Sequence, residues 1–229
     1  MIATPLKSNR ETWIDALRLF AGLSMVGLHA TSDTNGQPFP DATQADRIVP
    51  MLIRALLYTA RTELLLMISI FLLIMALQKH PHSYRAVIAE QSRRLLVPFL
   101  FWTLFYSIYG LNKAQFFGYT NSELTRLADP TSWVGFLMLG NVKYHMHFIP
   151  TLFALILLFP LFKVAHRYPH FGLMILAFLL IKRELDGVIY PNFWGTDALP
   201  YLVRLTKVLT YSGYGLASAS VLGIWQRSK

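Results

Sequence analysis

Arg18 and His29 lie eleven positions apart in the first apolar stretch of the chain. An α-helix turns by about 100° per residue, so this spacing puts both side chains on one face, about 16 Å apart along the axis. Histidine is suited to acid–base chemistry near neutral pH, and arginine carries a permanent charge. Two interpretations stay open from the residues alone. Either the pair lines a cavity that admits a substrate, or Arg18 reaches the headgroups and His29 lies at the opposite interface.

Three further residues complete this face of the helix. Asp15 lies three positions before Arg18, where a local ion pair is geometrically available. Gly22 and Met25 fill the interval before His29, and a glycine there lets a substrate or another helix approach closely. The stripe is therefore polar at both ends and narrow in the middle.

The composition indicates which class of protein contains this helix. Of the 229 residues, 54% are hydrophobic and 14% are charged, whereas soluble domains have about 25% charged residues. Disorder is excluded and an ordinary soluble domain is disfavoured. One transmembrane helix needs about 20 apolar residues, so about six helices would use half of the chain. Cysteine is absent, which excludes disulfide bonds, thiolate nucleophiles and zinc–thiolate sites.

The distribution of charge predicts a membrane orientation. The net charge is +9, but the positions of the basic residues argue against a nucleic-acid partner. They cluster at the ends of apolar runs, at Lys7, Arg10, Lys79, Arg85, Arg93, Arg94, Lys163, Arg167, Arg227 and Lys229. The segment 30–49 carries Asp33, Asp41 and Asp46 against one arginine. This alternation predicts an N-terminus in the cytoplasm.

The apolar runs predict an all-α, polytopic transmembrane bundle of about six spans, with both termini in the cytoplasm. Five of the predicted spans cover 13–30, 95–111, 147–162, 171–181 and 199–225. The other, second along the chain, ends at Gln78 and is most apolar over 64–77. Residues 133–139 are too few to cross and are interpreted as re-entrant. A polar loop is expected over 112–130, and a solvated loop over the charged cluster 182–186. We expect a single membrane-embedded unit over 1–229.

Other basic residues within apolar stretches allow two interpretations. Arg47, Arg54 and Arg61 are spaced by seven positions, which places them on one face of a helix. Arg204 and Lys207 also share a face. Arg204 and Lys207 either line a cavity or extend their side chains to the headgroups. The stretch that carries the three spaced arginines either lies at the interface or extends the second span.

Four stretches, in the same order along the chain, resemble motifs of the membrane acyltransferase 3 family. They are Arg18 followed after ten residues by His29, the run Met67–Leu73 around Ser69, the run Arg93-Arg94 to Pro98-Phe99, and Tyr144-His145-Met146-His147-Phe148. The second departs from the family pattern because Ile70 stands where a glycine is expected. The resemblance covers nearly the whole chain. Family members are typically longer, so it implies that C-terminal helices are lacking here.

The resemblance implies an activity and a set of roles. It implies transfer of an acyl group, often acetyl from cytoplasmic acetyl-CoA, to a hydroxyl of a glycan or lipid-linked carbohydrate in a bacterial inner membrane. His29 would act as a general base or relay the acyl group, and Arg18 would hold a CoA phosphate or a carbonyl oxygen. No bound cofactor is expected, since acyl-CoA is the donor substrate. Further contacts to the donor or substrate are expected from Asp15, Arg93, Arg94, Tyr144 and His145.

Alternatives to these roles stay open. Orientation in the membrane alone explains a basic pair such as Arg93 and Arg94. A metal site at Tyr144, His145 and His147 is not expected, because residues two apart point to opposite sides of a helix and no nearby carboxylate or cysteine completes a ligand set. An inactive truncated homologue, a small transporter or a membrane partner protein would also show charged residues within spans.

Overall fold

The computed structural model describes residues 12–31, 38–39, 43, 45–59 and 62–228, apart from the side chains of His29, Thr59 and Tyr144. Its elements are helices, and no strand occurs in the described ranges. The α-helices are α1 Thr12–Ala30, α2 Ile48–Thr59, α3 Thr62–Lys79, α4 Tyr84–Phe117, α5 Thr120–Ala128, α6 Pro130–Leu139, α7 Phe148–Leu157, α8 Phe159–Arg167, α9 Met174–Phe193 and α10 Leu199–Arg227. Two 3₁₀ turns, Tyr144–His147 and Pro169–Leu173, precede α7 and α9. The predicted all-α class is confirmed.

The chain forms two compact units, Met1–Ser69 and Ile70–Lys229. In the first unit α1 packs on α2. The buried side of α1 presents Ile14, Ala21 and Leu28 at intervals of seven, which is the repeat expected for one helix face. A Cβ added at Gly27 would lie 3.0 Å from Cδ1 of Leu57. The absence of a side chain at Gly27 therefore allows the two helices to approach closely.

In the second unit α10 packs on α8, α9 and the turn Pro169–Leu173. The buried face of α10 consists largely of small residues, including Gly213, Gly215, Ser218, Ala219 and Gly223. An added Cβ at Gly215 would lie 2.7 Å from the ring of Phe162. Small residues let helix backbones approach closely, as in membrane helix pairs.

Two stretches are long and apolar enough to cross a membrane, namely Ile48–Lys79 and α4. A third is present if the bent pair His145–Leu157 and Phe159–Arg167 counts as one span. Three other predicted spans form helices that are not both long and apolar enough by the same criterion. Polar residues lower the hydropathy of α1 and α10, and α9 carries four charged residues within 182–186. The described residues therefore support two or three spans of the predicted six.

The predicted span 147–162 is not one straight helix. It is broken at Leu158 into α7 and α8, which are bent by 60°. Leu158 has φ −91° and ψ 9°, and Pro160 follows two residues later. Proline has no N–H to donate and its ring displaces the preceding turn, so the helix ends and restarts. The predicted span 147–162 is therefore present only if this bent pair counts as one span.

The charged cluster 182–186 is part of a helix and not a loop. The helix α9 starts three residues later than the predicted fifth span and continues to Phe193. Lys182 and Asp186 form an ion pair at the (i, i+4) spacing, which stabilises a helix locally. The expected solvated loop was therefore wrong.

The region expected as a polar loop after the third span is mostly helical. The helix α4 runs on to Phe117 and ends with Gly118 at φ 80°, a left-handed conformation that suits glycine. α5 follows, and Nε of Arg126 donates to Oε2 of Glu123 at 3.0 Å. α6 then begins at Pro130, and the carboxylate of its N-cap residue Asp129 accepts hydrogen bonds from the backbone N–H groups of Thr131 and Ser132.

Candidate functional site

The stripe predicted on the first helix lies on one continuous helix, α1. Nη1 of Arg18 is 3.8 Å from Oδ1 of Asp15, and half of the Arg18 side chain is exposed. The expected contact between these two residues is thus present. No described atom lies within 4 Å of a Cβ added at Gly22. The middle of the stripe is therefore open, with space for another group.

The His29 end of this helix is held by an arginine from α2. Nη1 of Arg54 donates to the carbonyl oxygen of Leu28 at 2.9 Å and to Oγ1 of Thr31 at 2.5 Å. The Arg54 guanidinium carbon lies 5.6 Å from the centre of the Tyr58 ring. The spacing of Arg47, Arg54 and Arg61 placed Arg54 on a helix face, but sequence reasoning assigned it no role.

A cavity of about 370 Å³ adjoins this arginine. Pro38, Met51, Arg54, Ala55 and Tyr58 line it. Its described lining is mainly apolar and includes the buried cation Arg54.

A second cavity, of about 310 Å³, lies in the second unit along α4. Its polar and aromatic lining consists of Arg94, Phe99, Trp102, Tyr106 and His145. Pro98 also lines it, so α4 contributes residues 94, 98, 102 and 106, which the repeat of four puts on one face. We call this cavity the α4 groove. Two predicted contact residues, Arg94 and His145, thus share one groove.

His145 is presented to the groove by the 3₁₀ turn Tyr144–His147. Its ring meets the ring of Tyr106 edge to face, with 5.6 Å between centroids. The next residue, Met146, is buried among Phe99, Phe136 and Val142. Because one neighbour is anchored in the core, the exposed His145 side chain is directed toward the groove.

Arg204 of α10 holds this turn from the other side. Nη1 donates to the carbonyl oxygen of His147 at 3.0 Å and to Oγ1 of Thr151 at 2.6 Å. Nη2 donates to the carbonyl oxygen of Leu139 at 2.6 Å. Arg204 therefore neither lines the groove nor extends to a headgroup. It joins the end of α6, the turn and α7.

The remaining predicted site residues lie apart from the groove or outside the described atoms. Arg93 is exposed and does not line the groove. Arg94, which does line the groove, has its Nη1 atom 3.6 Å from Oε1 of Glu90, and both side chains are largely exposed. The side chains of His29 and Tyr144 lie outside the described part of the chain. Trp102 and Tyr106 were not predicted as site residues. Their repeat of four with Arg94 was the signal for a shared face.

Metal binding finds no support in the described ranges, where no three His, Asp or Glu side chains cluster to hold an ion. What the described residues can do is bind an anion at Arg18 or Arg94 and exchange a proton at His145.

Comparison with known proteins gives one match. A family model described as an acyltransferase domain matches residues 11–225, nearly the whole chain. No curated protein and no solved structure matches the chain significantly. The match includes Arg18 and His29 on α1 as well as Arg94 and His145 of the α4 groove. The chain therefore belongs to the acyltransferase 3 family.

Proposed function

We propose that this membrane acyltransferase transfers an acyl group, acetyl in the first instance, from acyl-CoA to a hydroxyl of a cell-surface or lipid-linked carbohydrate. The family match over residues 11–225, together with Arg18 and His29 on one face of α1, carries this proposal. We further propose a bacterial inner-membrane location with six spans, the N-terminus in the cytoplasm and a single functional unit. The alternation of basic and acidic segments supports that orientation.

The proposed reaction is attack of the acceptor hydroxyl oxygen on the thioester carbonyl carbon. A C–O bond forms and the C–S bond breaks, and the electron pair of that bond leaves with the CoA sulfur. His29 takes the hydroxyl proton and returns it to the departing thiolate. Arg18 stabilises the negative charge that develops on the carbonyl oxygen, and Asp15 holds the Arg18 side chain.

The α4 groove is the proposed donor contact. Arg94 at one end offers a cation to the phosphate groups of acyl-CoA. Trp102 and Tyr106 offer ring faces along the wall, and His145 adds a hydrogen-bonding group beside them. Arg93 and Tyr144, next to these residues in the chain, are included in the same proposed contact.

Labelled acetyl-CoA tests the proposal. Membranes that contain the wild-type chain should transfer label into a glycan or lipid fraction, and membranes with His29→Ala should not, because the proton acceptor is lost. His82→Ala is the matched control, since His82 is exposed and, among the described residues, bonds locally to the carbonyl of His80. Immunoblots of the membrane fraction check that all three proteins insert.

Two results would contradict this function. If the wild-type chain incorporates no label although it is inserted, the chain is an inactive homologue. If His29→Ala incorporates as much label as the wild type, His29 does not take the proton. Uptake of an unmodified solute without covalent product would instead indicate a transporter.

A further inference from the structure

The last turn of α1 has an unusually specific connection to α2. Leu28 and Thr31, the two acceptors of Arg54, lie on either side of His29 in the chain. Thr31 in turn donates from Oγ1 to the carbonyl oxygen of Gly27 at 2.8 Å. The hydrogen bonds thus form a chain from Arg54 through Thr31 to Gly27, and they enclose the backbone that carries His29.

The location of Arg54 explains why a buried cation is tolerated there. Its exposure is only 6%, and a buried guanidinium is costly unless acceptors surround it. The C-terminus of a helix supplies them, because its last carbonyl groups lack partners within the helix and form the negative end of the helix dipole. Arg54 therefore stabilises the end of α1 as its acceptors stabilise Arg54.

The same side chain also lines a cavity. Arg54 and Tyr58 both line the cavity of about 370 Å³, so one arginine contacts the backbone around His29 and lines this cavity.

We propose that Arg54, acting through Thr31 and Leu28, is a positioning residue for His29. The inference rests on the proposed function, in which His29 takes the proton of the acceptor hydroxyl. Arg54 does not touch the reacting atoms. It fixes the backbone at His29, and a displacement of about 1 Å in a reacting group can lower a rate about 100-fold.

The first test compares rates. Arg54→Gln and Thr31→Val each remove part of the chain of hydrogen bonds, and each should lower the maximal rate of acetyl transfer about 10- to 100-fold while KM for acetyl-CoA changes little. Thr31→Ser keeps the hydroxyl and should restore the rate. Arg183→Gln, at an exposed arginine of α9, is the control for loss of one positive charge. If Arg54→Gln fails to fold, the Thr31 pair still decides the question.

The second test does not depend on activity. Diethyl pyrocarbonate modifies histidine side chains, and peptide mass spectrometry reports the rate at His29 separately from the other histidines. Arg54→Gln and Thr31→Val should raise this rate several-fold because the turn opens more often, whereas His82 should react at the wild-type rate. An unchanged rate at His29, or an unchanged maximal rate in an active wild-type background, would overturn the inference. If the wild type transfers no acetyl group, the proposed function fails but the modification rates still test whether Arg54 fixes this turn.

Discussion

Nη1 of Arg204 donates a 3.0 Å hydrogen bond to the carbonyl oxygen of His147, across 57 positions of the chain. The same guanidinium reaches Thr151 and Leu139. Three segments that lie far from α10 in the chain therefore depend on one side chain. Because His147 and His145 belong to the same 3₁₀ turn, Arg204 holds the turn that places His145 in the α4 groove.

Loss of the Arg204 guanidinium should destabilise the second unit. Arg204→Met leaves two carbonyl groups and a hydroxyl without their donor, and we expect a loss of about 3 kcal/mol, since breaking such buried contacts is costly. Thermal unfolding of the detergent-solubilised protein measures it. Arg183→Met, at an exposed arginine of α9, should change the midpoint little. Equal midpoints for the two variants would show that the three hydrogen bonds contribute nothing.

Two glycine-to-alanine substitutions should change the free energy of unfolding in opposite directions. A Cβ at Gly223 would clash with the carbonyl oxygen of His166, and the clash is with backbone, which cannot rotate away. Gly223→Ala should therefore destabilise by about 1–3 kcal/mol. Gly187 lies in α9 with no described atom within 4 Å of an added Cβ, and Gly187→Ala should stabilise by up to about 1 kcal/mol. The comparison uses the same unfolding measurement, and a stabilised Gly223→Ala would contradict the packing of α10 on α8.

Asp129 should make stability depend on pH in acid. The hydroxyl and backbone N–H of Thr131, followed by those of Ser132, hold the pKa of Asp129 below its usual value of 3.8. A lowered pKa in the folded state means that the contribution to stability is present above 3.8 and is lost as the pH falls through the folded pKa. Asparagine caps helices about as well as aspartate but does not titrate. The midpoint of thermal unfolding should therefore fall less for Asp129→Asn than for the wild type when the pH is lowered below 3.8. Parallel plots of midpoint against pH for the two proteins would contradict this account.

Arg94 should affect donor binding more than the chemical step. Under the proposed function, Arg94→Gln removes a charge-assisted hydrogen bond to a CoA phosphate, and KM for acetyl-CoA should rise about 10- to 100-fold. The maximal rate should stay near the wild-type value. Arg85→Gln is the control, since Arg85 is an exposed arginine at the start of α4. An unchanged KM in Arg94→Gln would assign donor binding to other residues.

Sequence reasoning located the apolar helices well because their signal is local. The predicted span 199–225 and helix α10, Leu199–Arg227, share their start and differ by two residues at the end. The break at Leu158 was missed because the apolar run continues through it, so hydropathy alone gives no sign of the bend. For α9, the four charged residues within 182–186 suggested a loop, but the (i, i+4) spacing of Lys182 and Asp186 suits a helix equally well.

The candidate site was only partly predictable, for a different physical reason. Arg94 and His145 were identified from motifs, but no local pattern reveals that they share a groove. The contacts of Arg54 and Arg204 are similarly invisible. Arg54 reaches Leu28 across 26 positions, and Arg204 reaches Leu139 across 65. Such pairs arise from packing between distant segments, which neither periodicity nor composition encodes.

The bend between α7 and α8 has a consequence for how rigid this part of the chain is. The N–H of Leu161 bonds to the carbonyl of Leu158, so the carbonyl of Leu157 loses the amide that a straight helix would provide. The hydroxyl of Tyr84, in the first turn of α4, donates to that carbonyl at 3.1 Å, and its ring stacks on Phe159. Within a bilayer an unsatisfied carbonyl costs several kcal/mol. The hydrogen bond from the Tyr84 hydroxyl of α4 therefore keeps the bend rigid. Tyr84→Phe, which removes this bond, would make the bend flexible.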